Sequence, residues 1–210
     1  PLPYLQKGKI YFSKKDYKSA ISNLSKSIRN NKKGNLIETE IYLIRGQAYY
    51  QLKNFTAAIK DFTESLNLSN IYGIPNNKNW PNYKRGIYIA RGYSNMMMGN
   101  NTEALKDINR ALEIDPDFLK SENFLFKAAI KYESQDYEGA IKDANTALSS
   151  SNSSNWSSLK DKDKRIAQIY LARANSNAEL GNYKNYCSDK NEAINLGGEE
   201  YLMPQYENII

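Results

Sequence analysis

Five cations recur at matching points along the chain: Lys7, Arg45, Arg91, Lys127 and Arg173. Each stands immediately before a small residue, namely Gly8, Gly46, Gly92, Ala128 or Ala174. A cation repeated at one register could form a ladder that reads acidic or phosphorylated segments, because such heads bind carboxylate and phosphate groups tightly. The same row has a structural reading, in which each stem covers apolar surface and each head pairs with a neighbouring carboxylate. Catalytic chemistry has little to work with. The sequence contains no histidine, the commonest general base and metal ligand. Its single cysteine, Cys187, lacks a histidine partner and reads as a small core residue. No Gly-rich phosphate loop opens a helix, and no metal-ligand spacing is present. No enzyme activity, cofactor or metal is expected.

Length and charge set wider bounds. The chain has 210 residues, enough to bury a core. Lys and Arg number 29 against 23 Asp and Glu, for a net charge of +6. This mild basic bias suits solubility or an acidic partner. No Lys/Arg-rich block marks a nucleic-acid arm. No apolar run approaches the roughly 18 residues of a membrane span. A lone cysteine precludes an internal disulfide and is compatible with a reducing compartment, making the cytoplasm the default location. The start, Pro1-Leu2-Pro3-Tyr4, has no Met and no signal-like pattern. It reads as a truncated or processed terminus.

The elements that must position the cations emerge from internal repetition. Five stretches align without gaps: Tyr4, Gly8, Tyr11, Asp16, Tyr17, Ala20 and Leu24; Tyr42, Gly46, Tyr49, Asn54, Phe55, Ala58 and Phe62; Tyr88, Gly92, Asn95, Asn100, Ala104, Ile108 and Pro116; Phe124, Ala128, Asp136, Tyr137, Ala140 and Ala144; and Tyr170, Ala174, Asn182, Tyr183, Tyr186 and Ala193. The small residues permit close helix crossings. The leading aromatics fill space between neighbouring helices. Asp16, Asn54, Asn100, Asp136 and Asn182 precede second helices as N-caps. Gly99 and Gly181 end first helices in the left-handed conformation. In the fifth stretch Tyr186 stands at the small position and Lys190 at the Phe position. A polar outer face is expected of a terminal unit.

At these residues the chain resembles the tetratricopeptide repeat family, as an array of the bacterial type. The resemblance implies an all-α fold: a right-handed α-solenoid of five helix-turn-helix repeats with a short C-terminal cap. It implies one solenoid domain over residues 1–210, with repeats at about 1–34, 39–72, 85–118, 121–154 and 167–200. The small positions lie 38, 46, 36 and 46 residues apart, against a family unit of about 34. Insertions are therefore expected at about residues 73–84 and 155–166. The first reads as a loop with two prolines, running from Ile71 to Pro81. The second is Ser/Asn-rich, with Ser157 or Ser158 capping the next helix. Each carries one tryptophan, Trp80 or Trp156, which either tucks onto helix ends or marks a contact surface. Residues 199–204 read as a capping turn and 206–210 as a tail.

The resemblance also implies a binding face. First helices would line a concave groove that holds a protein or peptide. Groove candidates are Leu5, Lys9, Phe12, Leu43, Gln47, Tyr50, Ile89, Tyr93, Met96, Met97, Leu125, Tyr132, Leu171 and Asn175. The set is apolar and aromatic, and its aliphatic members could equally pack between first helices. Glu40, Glu122, Glu133 and Glu179 reach that side only singly. The family's carboxylate clamp is not expected, because Leu5 and Lys9 stand where Lys and Asn would be needed. Lys9 is the one basic residue among the groove candidates, so nucleic acid is disfavoured. The leading function is an interaction scaffold or adaptor. The alternatives are a self-assembling subunit and, less favoured, a nucleic-acid-binding helical repeat.

Overall fold

The computed structural model describes residues 2–30, 36–72, 80–117, 120–151 and 159–198. Among these described residues there are ten helices and no strand. They form five helix-turn-helix pairs: α1 (Leu2–Ser13) with α2 (Tyr17–Arg29), α3 (Leu36–Gln51) with α4 (Phe55–Tyr72), α5 (Trp80–Met97) with α6 (Asn101–Ile114), α7 (Lys120–Glu133) with α8 (Tyr137–Ser150), and α9 (Leu159–Glu179) with α10 (Tyr183–Asn195). The all-α class expected from the repeats is the class observed. The chain divides into two compact units, Pro1–Asp115 and Pro116–Ile210. The division falls where α6 stops. Asp115 is extended (φ −151°, ψ 99°), as the residue before a proline is driven to be.

Every pair closes with the same turn. The N–H of Asp16 bonds back to the Tyr11 carbonyl and that of Lys15 to Phe12; residues 53–54, 99–100, 135–136 and 181–182 repeat the pattern. This pair of hydrogen bonds is the Schellman closure, which needs one left-handed residue. Gly99 (φ 74°) and Gly181 (φ 73°) supply it as expected, but Lys15 (φ 61°), Lys53 (φ 58°) and Gln135 (φ 62°) hold it without being glycine. A side chain there costs roughly 1–2 kcal/mol of steric strain. Gln135→Gly is therefore expected to raise stability by about 0.5–1 kcal/mol, part of the relief being lost to the freer unfolded chain. A melting temperature that falls would show that the Gln135 side chain makes a compensating contact.

The cap residues follow, and here the expectation needs correcting. Asp16 accepts the Ser19 N–H at 3.1 Å, Asn54 that of Ala57 at 3.2 Å, and Asp136 that of Gly139 at 3.0 Å. Asn100 and Asn182 occupy the cap position without a side-chain cap bond. The Asn100 amide instead donates to Asn95 Oδ1 at 3.3 Å.

In the first unit the core is built in successive layers, each joining one pair to the next helix. Leu5, Ala20 and Leu24 meet Ile41 of α3; Ala58, Phe62 and Leu66 meet Ile87 of α5. In the second unit Ala128, Ala144 and Ala147 meet Ile169 of α9. A repeat alone leaves such a face open, so each layer needs its neighbour.

Two further expectations change. Ile71 and Tyr72 extend α4, and α5 already starts at Trp80, so both ends of the first expected loop are helical. Pro81 is tolerated because first-turn residues have no intrahelical acceptor for an N–H. Likewise 159–166 belongs to α9. Trp156, Ser157, Ser158, the capping turn and the tail lie outside the described residues. Lys190 does not contribute to a polar outer face. It is 6% exposed, with its Nζ 5.6 Å from the Tyr186 ring centroid. Tyr186 is itself buried, against Ala174 and Ala178. The swap is compensated: Ala178 stands where earlier repeats carry Phe12, Tyr50, Met96 or Tyr132, so the volume lost from α9 returns from α10.

Candidate functional site

The cation row is positioned by the first helices and meets a second row on the partner helices. Arg45 donates through Nε and Nη2 to both oxygens of Asp61, at 2.7 and 2.8 Å. Arg91 grips Asp107 at 2.8 and 2.7 Å, and Arg173 grips Asp189 at 2.8 and 2.6 Å. The remaining Nη1 reaches back to the preceding second helix: Ser25 for Arg45, Thr63 for Arg91 and Asn145 for Arg173. Each guanidinium also lies near the repeat's leading aromatic, 5.4 Å from Tyr42, 5.9 Å from Tyr88 and 5.5 Å from Tyr170.

Lys127 keeps the register but cannot fork. It stands 3.9 Å from Asp143, while Lys131 approaches the same carboxylate at 2.8 Å. Lys7 has Asn23 in place of the aspartate and is exposed. The electrostatics agree. Burial opposes the Arg45 charge, but the Asp61 bonds more than offset it and hold the pKa above its ordinary value. The Asp189 bonds do the same for Arg173 against its burial. At Lys127 burial wins, and Asp143 only partly offsets the lowering.

The aspartate row escaped the sequence reading, although its signal was there. Asp61, Asp107, Asp143 and Asp189 each follow their cation by a constant 16 residues. A constant offset between opposite charges on two helices of one repeat indicates an internal pair, because only packing preserves such a register.

The groove candidates divide by burial. Leu5 and Leu171 are core residues, 2% and 5% exposed, and Asn175 is buried as well, so none of the three is on offer to a ligand. Leu43 and Leu125 are partly buried against their core layers. Phe12, Tyr50 and Tyr132 stack by edge or tilt on Tyr17, Phe55 and Tyr137, with centroids 5.5–5.7 Å apart. These aromatics brace the helix turn while keeping part of their surface open. Ile89, Tyr93 and Met96 are half-buried, and Met97 is exposed. Lys9 pairs with Glu40 of α3 at 2.7 Å.

Within the first unit the first helices enclose a cleft of about 580 Å³ between α3 and α5, lined by Glu40, Leu43, Ile44, Gln47, Asn82, Tyr83 and Gly86. Leu43 and Gln47 were candidates. Ile44, Asn82, Tyr83 and Gly86 were not, because the last three lie at or beside the expected insertion. Gly86 is informative. A Cβ built there meets nothing within 4 Å, so no packing contact demands glycine. A helix-interior glycine costs about 1 kcal/mol relative to alanine, and its effect here is to leave the cleft floor open. Among the described residues no group of acids and cysteine could hold a metal ion, and no helix is long and apolar enough to cross a membrane.

Comparison with known proteins matches this geometry. The tetratricopeptide repeat model matches residues 3–33, 39–72 and 86–118. No curated protein sequence matches. A crystal structure of MamA superposes with a TM-score of 0.70 at 14% identity, covering 92% of this chain and 96% of that one. A second MamA structure, MSR-1 C2, gives 0.69 at 14% identity, over 95% and 97%. YrrB, described as a TPR protein with an unusual peptide-binding site, gives 0.68 at 14% identity, over 92% and 84%. At such identity the likeness is one of fold. Residues 3–33, 39–72 and 86–118 are thus tetratricopeptide repeats by sequence, and the five helix-turn-helix pairs give the chain a tetratricopeptide-repeat fold.

Proposed function

We propose that this protein is a non-enzymatic interaction scaffold whose first unit holds a peptide or helix of a partner protein between α3 and α5. The observation that carries the reading is the α3–α5 cleft, with apolar walls at Leu43 and Ile44, amides at Gln47 and Asn82, and an open floor at Gly86. Few convergent polar groups on an apolar wall are what orient a bound peptide. The ligand mode is not a carboxylate clamp, since Leu5 is core and Lys9 is paired with Glu40. YrrB's peptide site, called unusual, lends support to peptide recognition by such a repeat array. The cation row does not favour nucleic acid, because Arg45, Arg91 and Arg173 each face a carboxylate of their own repeat.

The test is to fill the cleft. Gly86→Phe places a ring in it and replaces a poor helix former, so helicity and melting temperature should hold or rise. Peptides selected by display on the wild-type chain are expected to bind Gly86→Phe at least about tenfold more weakly, the loss of one buried anchor. Equal affinity for both proteins would place the peptide site elsewhere. Failure to enrich any peptide would remove the reading.

A further inference from the structure

The turns of the first unit carry a feature that neither the fold nor the cleft uses. Three of them, at residues 14–16, 52–54 and 98–100, join α1–α2, α3–α4 and α5–α6 at the same end of hairpins that pack side by side. Thr56 Oγ1 lies 4.0 Å from Met98 Sδ, so the second and third turns touch. Along this edge the apolar side chains point outward: Leu52 is 41% exposed, Met97 54% and Met98 48%. Lys53 stands beside Leu52, and Lys14, Lys15 and Lys18 at the first turn, all four exposed. The acids nearby are engaged. Asp16 caps α2 through the Ser19 N–H, and Glu103 lies 3.5 Å from Lys106.

Lys15 and Lys53 are the telling residues. Both hold the left-handed backbone that Gly99 supplies in the third turn. Gln135 occupies the same position in the second unit, so the turn itself does not require a charge. A strained residue that keeps a long cation at a turn tip points to use of the cation. The corresponding turns of the second unit place Glu133, Glu138 and Glu179 beside this position.

We propose that this turn edge of the first unit docks on an anionic lipid surface. Flexible apolar side chains at the tips of short turns enter the headgroup layer, and the lysines beside them pair with lipid phosphates and carboxylates. Here the edge is a row of projecting tips, which fits a flat, deformable, negatively charged plane. The mode is peripheral and needs no spanning helix.

The experiment is flotation of the full chain with vesicles of phosphatidylcholine and phosphatidylserine, and with phosphatidylcholine alone. The wild-type chain is expected to float with the mixed vesicles, to be released by salt, and to remain unbound to phosphatidylcholine. Two variants separate the contributions. Lys15→Asn with Lys53→Asn removes two charges but suits the left-handed backbone, so the melting temperature should hold or rise while affinity for mixed vesicles falls about tenfold or more. Leu52→Ser with Met98→Ser keeps the charges and should also weaken binding, with helicity unchanged. Absence of wild-type binding to the mixed vesicles would overturn the proposal and leave an acidic protein as the partner for the lysines. Undiminished binding by either variant would also overturn it, by showing that the general positive charge of the chain is responsible.

Discussion

Asp107→Ala is expected to destabilise the first unit by about 3–5 kcal/mol, the range for removing one partner of a buried ion pair. Asp107 is 1% exposed and its two oxygens take the Arg91 fork at 2.7 and 2.8 Å. The Arg91 side chain is only 20% exposed. Without the carboxylate, Arg91 keeps its charge in a largely buried site with Thr63 Oγ1 as a hydrogen-bond acceptor, at 3.0 Å. The Asn95 amide, 3.4 Å from the same carboxylate, loses its acceptor too. Urea denaturation followed by circular dichroism measures the loss. The double variant Arg91→Met with Asp107→Leu should recover most of it, because apolar residues of similar volume avoid the desolvation of both ions. This pair of variants also decides the fate of the cation ladder. If the arginines served an acidic ligand, Asp107→Ala would leave the fold nearly intact and tighten binding of acidic peptides. A loss under about 1 kcal/mol would therefore reinstate the ladder as a binding device.

Gly92→Leu is expected to cost about 1–3 kcal/mol or more through overpacking. A Cβ built on Gly92 lies 3.1 Å from Ile108 Cδ1, 3.3 Å from the Ala104 carbonyl oxygen and 3.3 Å from Asp107 Cβ. The carbonyl belongs to the α6 backbone and cannot step aside, so a longer side chain must push α5 off α6. Gly92→Ala should be much milder, since the first contact is the flexible end of Ile108 and alanine favours the helix. Native-state hydrogen exchange should show loss of protection concentrated in α5 and α6 of the leucine variant. A denaturation midpoint for Gly92→Leu equal to that of the wild type would mean that the two helices do not cross closely at this point.

The helical pairs and their turns were legible because they depend on local chemistry repeated in register. A small residue at Gly46, an aromatic at Tyr42 and a cap at Asn54 act within one hairpin, and each leaves a mark at a fixed spacing. The fate of the cations was not legible in the same way. Arg45 allowed two readings until Asp61 was seen against it, since a charge on one helix does not reveal what the next helix presents. Leu5 and Tyr50 looked alike as groove candidates. Burial separates them, because Leu5 is closed off by Ala20, Leu24 and Ile41 from neighbouring helices, whereas Tyr50 keeps an open side at the turn. Pro81 suggested a loop because proline breaks helix interiors, and only its place in the first turn made it harmless.

By itself, then, the sequence determined the repeat unit, the all-α class, the two glycine-ended turns at Gly99 and Gly181 and the absence of histidine chemistry. All of these follow from residue type and short-range spacing. The tertiary structure decided which charges are neutralised, which apolar residues remain exposed and where a cleft opens. It decided that Lys15 and Lys53 sit strained at turn tips, and that Gly86 borders empty space. Those properties depend on what lies across a helix interface, and the separation along the chain that brings two such faces together varies with every insertion.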